Sequence, residues 1–221
     1  MAISNQARSR IRMLGEPIAL ALGRLGLTPD GLTLVGFGIT AIGAVLLGLQ
    51  LWLAGGLVVF VGGVFDMFDG TLARATGRVS RLGAFMDSVF DRWGEALVYV
   101  GLVIGCTRAE FQLGAWLAAA AMASAFLVSY VRAKSEGLGF TTGTGIAAIG
   151  LMPREVRLMV LTFGLVGAGL AGGAGATLDA TGSAILAAAL AIIGVGATVT
   201  VIQRILHVRA QAAGESRERA G

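Results

Sequence analysis

The fold class predicted is all-α: a polytopic integral membrane protein with six transmembrane helices and an N-terminal amphipathic helix on its surface. Three observations predict it. Of 221 residues, 56% are hydrophobic, and the mean hydropathy is +0.82. Only 14% are charged, against about 25% in a typical soluble domain. The apolar residues also fall into six long runs, and a membrane helix needs about 20 mostly apolar residues. Disorder is excluded, because it requires low hydrophobicity and high charge. The 35 glycines have no three-residue period, which excludes collagen. A soluble globule would be left with an apolar surface.

The N-terminal segment, residues 1–27, precedes the first run. Within it Ile11, Leu14, Ile18, Leu22 and Leu25 recur at steps of three or four, which is one face of a helix. Arginines interleave with this stripe, as suits a helix lying on a membrane surface, and Pro17 is expected to kink or split it. The six runs are Leu32 to Leu51, Leu57 to Leu72, Leu82 to Cys106, Leu113 to Val131, Val156 to Leu170 and Ile185 to Ile205. Ala54-Gly55-Gly56 reads as the turn of a tight hairpin between the first two, and Ala171 to Asp179 separates the last two. Residues 28–208 form the expected membrane domain, and residues 209–221 a polar tail. Gly101 and Gly105 have the small-xxx-small spacing that lets helices approach closely.

Sixteen of the 17 basic residues are Arg. A pI near 10.2 could suggest nucleic acid. The arginines, however, sit in short clusters between apolar runs and form no continuous basic face, so no nucleic-acid partner is expected. With six spans, Arg8, Arg10, Arg12, Arg24, Arg74, Arg78, Arg81, Arg132, Lys134, Arg154, Arg157, Arg204, Arg209, Arg217 and Arg219 fall on one side, and Arg108 alone lies in an opposite loop. The positive-inside rule then places both termini in the cytoplasm of a cell-membrane protein. Cys106 has no cysteine to pair with. Trp52 and Trp116 read as interfacial aromatics on the outer side, and His207 as an interfacial residue at the end of the sixth run.

Aspartate inside a membrane helix costs roughly 2.5–3.5 kcal/mol on insertion scales. Yet Asp66 and Asp69 end the second run, and Asp87 and Asp91 begin the third. Spacings of three and four put each pair on one helix face, and the basic turn between the runs brings the two faces together. Four close carboxylates repel unless their pKa values rise or cations neutralise them. Oxygen-only ligands favour hard ions, and paired ions suit phosphoryl chemistry. Gly70, Ala73 and Gly83 leave the adjoining helix surface bare enough for a flat base, and Arg74 is placed to meet a phosphate. Structural Asp–Arg pairing, with Arg74 or Arg92, is the plain alternative. A cation transporter could also hold acids in a bundle, but these acids gather at one membrane face and leave the rest of the spans almost uncharged.

The full spacing is Asp66-x2-Asp69-Gly70-x2-Ala73-Arg74-x8-Gly83-x3-Asp87-x3-Asp91. It resembles the signature of the CDP-alcohol phosphotransferase family. The likeness extends to the six spans, the basic surface helix and Thr28-Pro29-Asp30-Gly31-Leu32-Thr33, which is similar to a nucleotide-binding segment of these enzymes. The resemblance implies transfer of a phosphoryl-linked lipid from a CDP-activated donor, such as CDP-diacylglycerol or a related CDP-lipid, to an alcohol, with release of CMP. It implies that Asp66, Asp69, Asp87 and Asp91 hold two Mg²⁺ or Mn²⁺ ions. Asp91 would also be the catalytic general base. Pro29, Asp30, Gly31, Leu32, Thr33, Gly70, Ala73, Arg74, Ser80 and Gly83 would contact the donor. A homodimer is common in the family.

A second basic group, Arg132, Lys134, Arg154 and Arg157, is expected to bind a phosphate on a small phosphorylated alcohol; simple anchoring at the interface is the alternative for each residue singly. This arrangement resembles the phosphatidylinositol-phosphate synthase branch of the family, whose acceptor is inositol phosphate. The nearly uncharged stretch Gly137 to Leu151, with Thr141-Thr142-Gly143-Thr144-Gly145, departs from that branch. Glycerol 3-phosphate, the acceptor of phosphatidylglycerophosphate synthases, would use the same basic groups. Glu95, one turn after Asp91, is expected to partner Arg92 or an arginine elsewhere.

Overall fold

The computed structural model describes residue 17 and residues 19–140, 149–172 and 178–218. Among them there are six long helices and no strand: α1 Pro29–Gly48, α2 Trp52–Ala75, α3 Arg81–Arg108, α4 Gln112–Gly137, α5 Arg154–Ala171 and α6 Ala180–Glu218. By length and composition α1, α2, α4 and the Ala180–Gly214 part of α6 can cross a membrane. α3 is interrupted by Asp87, Asp91, Arg92 and Glu95, and the short α5 carries Arg154, Glu155 and Arg157 in its first turn.

Local chemistry sets the helix ends. Thr28 caps α1, its hydroxyl accepting from the Gly31 amide at 3.1 Å, with Pro29 in the first turn and Asp30 beside the positive end of the dipole. Ser80 caps α3 the same way through the Gly83 amide at 2.9 Å. α2 stops at Gly77, whose φ of 67° a side chain would resist. The Arg78 amide then donates to the Ala73 carbonyl at 2.9 Å and the Gly77 amide to Arg74, a Schellman stop. This stop and the Ser80 cap fix the short turn between the two acid-bearing helices.

The turn between α1 and α2 is not where the glycines predicted it. The chain reverses at Leu49-Gln50-Leu51, with Gln50 at φ 66° and the Leu51 amide donating to Leu46. Gly55 and Gly56 lie inside α2, where a side chain would collide with Leu47 of α1 and Leu165 of α5. They are close-packing sites, and small residues serve turns and helix crossings alike. Gly101 and Gly105 do pack as their spacing suggests, against the Ala44 and Leu47 carbonyls of α1.

α1 is wedged between α2 and α3, which touch each other little. α4 packs on α6 and α3, and α5 on α6 and α2. The main core gathers Leu47, Trp52, Tyr99, Leu102, Leu165, Leu190 and Ile193 around the small α4 face Ala115, Ala118, Ala121 and Ala125. Trp52 is fully buried, contrary to its expected interfacial place; its ring lies beside Gly105. Trp116 is 69% exposed, among outward-facing residues such as Phe163 and Val195. Such an apolar exterior suits lipid and not water.

Residues 19–24 are helical, and Ala19 is buried with Leu32 and Leu72, Leu22 packing alongside. Leu25 is exposed and lies in the turn that follows. Ile11, Leu14, Ile18 and Thr141 to Gly145 lie outside the described residues. α6 continues as one helix past residue 208.

Candidate active site

The ends of α2 and α3 enclose two adjoining cavities. One, of about 660 Å³, is lined by Asp66, Asp69, Asp87, Asp91 and Arg154, with Phe60, Val64, Met67, Leu158 and Met159 forming an apolar wall. The other, of about 270 Å³, is lined by Pro29, Asp30, Thr33, Ala73, Ser80 and Gly83. Asp69, Gly70, Arg74 and Asp87 line both. Eight of the ten residues expected to contact a nucleotide thus border the smaller cavity, if Gly70 and Arg74 are counted. Gly31 and Leu32 do not border it. The Gly31 amide serves the Thr28 cap, and Leu32 faces inward with Ala19 and Leu72.

The carboxylates are held by different means. Asp69 is buried and both its oxygens are engaged: Oδ2 accepts from the Thr33 hydroxyl at 2.6 Å, and Oδ1 accepts from the Gly70 amide. Thr33 therefore ties α1 to the acid cluster. Asp66 lies against Gly36 of α1, where a side chain would collide with its carboxylate. Its Oδ2 receives Arg154 at 2.8 Å, and Asp91 Oδ1 receives the other terminal nitrogen of the same guanidinium at 2.9 Å. Arg74 folds over Gly70 and reaches the Thr71 hydroxyl at 3.4 Å. Among the described residues it pairs with no carboxylate, and it is exposed to both cavities. Arg92 donates to the Ser88 carbonyl at 2.6 Å and stands 4.0 Å from Asp91. The close Asp–Arg pairing is therefore with Arg154, far away in sequence; Arg92 reaches Asp91 at 4.0 Å, and Arg74 makes no such pair among the described residues.

The donor set fits a hard divalent cation. Four carboxylates border one cavity, and a cationic group already bridges two of them. As the side chains stand, no three of the described acids converge to hold one ion, and the guanidinium of Arg154 lies between Asp66 and Asp91.

The second basic group divides. Arg132, Arg154 and Arg157 border a third, small cavity of about 90 Å³, together with Arg92 and Arg204. Lys134 is exposed on α4 and does not border it. Arg157 is only 2% exposed and grips Glu95 with two nitrogens at 2.8 Å each, while its third donates to the Met152 carbonyl at 3.1 Å. Glu95 thus has its arginine partner, on α5. Arg132 pairs with Glu136 at 2.9 Å on the α4 surface.

Arg204 was missed. In the sequence it counts only among the basic residues of one membrane side, but it is buried and donates to the Val128 carbonyl at 2.6 Å and the Ile149 carbonyl at 3.0 Å. The available signal was its place inside the apolar run that ends at Ile205. Thr200, one turn earlier, accepts from the Met152 amide at 2.9 Å.

Known proteins resemble this chain in sequence and fold. The profile of the CDP-alcohol phosphatidyltransferases matches residues 26–208. The chain is 34% identical to the archaetidylinositol phosphate synthase of Pyrococcus horikoshii over 71% of its length and 79% of that protein. It is 34% identical to the phosphatidylinositol phosphate synthase of Mycobacteroides abscessus over 92% of its length and 87% of that protein. The solved phosphatidylinositol phosphate synthase of Mycobacterium tuberculosis with CDP-DAG bound superposes with a TM-score of 0.75 at 28% identity, covering 89% of this chain and 94% of that one. The same enzyme in complex with manganese and citrate gives the same TM-score and identity over 88% of each chain. With the Asp66 to Asp91 spacing intact on two adjoining helices, and a profile match spanning most of its length, the chain belongs to the CDP-alcohol phosphatidyltransferase family of enzymes.

Proposed function

We propose that this enzyme transfers the phosphatidyl group of CDP-diacylglycerol to inositol phosphate and releases CMP. One observation carries the reading: Arg154 borders both the acid-lined cavity and the small arginine-lined one. A phosphate held by arginines there would bring its alcohol to the carboxylates. The names of the relatives support inositol phosphate as the acceptor, and the CDP-DAG bound by the mycobacterial enzyme supports the donor.

The residues take roles by position. The cytidine end occupies the smaller cavity, against the bare surface of Gly70, Ala73 and Gly83, with Pro29, Asp30, Thr33 and Ser80 around it. Arg74 meets the diphosphate with a planar fork suited to phosphate oxygens. The acyl chains leave along the apolar wall of the larger cavity. Asp91 accepts the acceptor's hydroxyl proton, a role that requires hydrogen-bond reach. The alcohol oxygen bonds to the phosphorus that bears the diacylglycerol, the bond from that phosphorus to the CMP oxygen breaks, and CMP leaves with the electron pair. Asp66, Asp69, Asp87 and Asp91 would hold divalent cations, Mg²⁺ or Mn²⁺ and two per site, which when bound offset the charge on the diphosphate. Thr33 orients Asp69 for that task.

In this reading all six helices span the membrane, residues 28–208 form the catalytic domain, and both termini and the site face the cytoplasm at the cell membrane. The working form is a homodimer. The test is an acceptor screen with purified protein and CDP-diacylglycerol, reading CMP. Release with inositol phosphate, and little with glycerol 3-phosphate or free inositol, is the expected result. Release driven by glycerol 3-phosphate alone would reassign the acceptor. Cation flux in liposomes without any CMP would overturn the enzymatic reading.

A further inference from the structure

Arg154 bridges two of the four acids expected to hold divalent cations. Its two terminal nitrogens bond Asp66 of α2 and Asp91 of α3 at 2.8 and 2.9 Å, and both carboxylates would be needed to hold a cation. The same side chain borders the cavity walled by Arg92, Arg132, Arg157 and Arg204. Two of the arginines there are more firmly held. Arg157 is gripped by Glu95 and Met152, and Arg204 by the Val128 and Ile149 carbonyls. Arg154 is 34% exposed and, among the described residues, is bonded to the acids alone.

The backbone beneath it is fixed. Thr200 holds the Met152 amide, Arg157 the Met152 carbonyl and Arg204 the Ile149 carbonyl. The Arg157 amide donates to Pro153 at 3.1 Å. With residues 149–153 pinned, the side chain can swing and the helix start cannot.

We propose that Arg154 is an internal counter-ion that closes the carboxylate cluster before metal loads and is then handed to the acceptor's phosphate. The proposal rests on the metal and acceptor reading given above. A divalent ion and the guanidinium compete for Asp66 and Asp91, so the free arginine lowers metal affinity. A tetrahedral dianion in the arginine-lined cavity draws Arg154 away and raises that affinity. Linkage makes the effect reciprocal: metal must raise the affinity for the dianion by the same factor. The site would thereby assemble cation and acceptor together, avoiding four uncompensated carboxylates on one side and a crowd of arginines on the other.

The experiment titrates Mn²⁺ by electron paramagnetic resonance into the detergent-solubilised full-length protein, with and without sulfate, a tetrahedral dianion that scarcely binds Mn²⁺. Perchlorate serves as the ionic-strength control. Wild type should bind Mn²⁺ about 5-fold or more tightly with sulfate, the lower end of ordinary coupling. Arg154→Ala should bind Mn²⁺ tightly without sulfate and gain nothing from it. Its metal-free melting temperature should fall, and Mn²⁺ should raise it by more than in wild type. Arg154→Lys keeps a cation there, and if the alanine variant does not fold it carries the comparison with a smaller sulfate effect. Metal affinity in the variants at or below that of wild type, or an undiminished sulfate effect, would overturn the counter-ion role and leave the metal site standing. If wild type binds no Mn²⁺, the metal reading fails and the proposal with it.

Discussion

Arg154 and Arg157 lie one turn apart on α5, both bonded to carboxylates, and they do different things. Arg157 is buried, gives two nitrogens to one acid, Glu95, and its third to a carbonyl. Arg154 is partly open and divides its two terminal nitrogens between acids on two helices. A guanidinium with every nitrogen matched inside the fold is part of the architecture. One that bridges a cluster of four acids at a cavity wall can exchange its partners.

The comparison breaks hardest at Arg157. Arg157→Met leaves Glu95 charged, enclosed and alone, which should cost about 3–5 kcal/mol of stability, as for other broken buried pairs. Thermal unfolding should show the loss, and the Glu95→Leu/Arg157→Met double variant should recover most of it. On the other side, Asp91→Asn should keep the fold and lower CMP release by about 10²–10⁴-fold, the range for a general base. Turnover near wild type would remove Asp91 from that role. A smaller effect sharpens the acid side. Thr33→Val deletes the hydroxyl that orients Asp69 and should weaken Mn²⁺ binding by about 10–100-fold, read by metal titration. The least effect is expected at Lys134, which is exposed and borders none of the three cavities. Lys134→Ala should leave the acceptor KM within about 0.5 kcal/mol, twofold or so, like other surface changes.

What the sequence revealed follows from how local each signal is. The acid motif was legible because its spacings of three and four act within single helices, and a short capped turn joins them. The six long helices of the described residues were legible from the apolar runs. The α1–α2 turn was not, because Gln50 adopts its positive φ with no glycine or proline to announce it, while the glycines nearby serve packing. Trp52 was misplaced for the same reason: burial depends on which helix comes alongside. The partners of Arg157 and Arg204 lie 62 and 76 residues away, beyond any spacing rule. Arg204 counts in the sequence only toward membrane orientation, because only the fold brings α6 against the lead-in to α5.

The central claim is that the four-carboxylate cavity carries out a metal-supported transfer from CDP-diacylglycerol. The most direct measurement is CMP release by purified wild type, with inositol phosphate present, in excess chelator and again after Mg²⁺ or Mn²⁺ is restored. The account predicts no release in chelator and full recovery with metal. Undiminished release in excess chelator would contradict it.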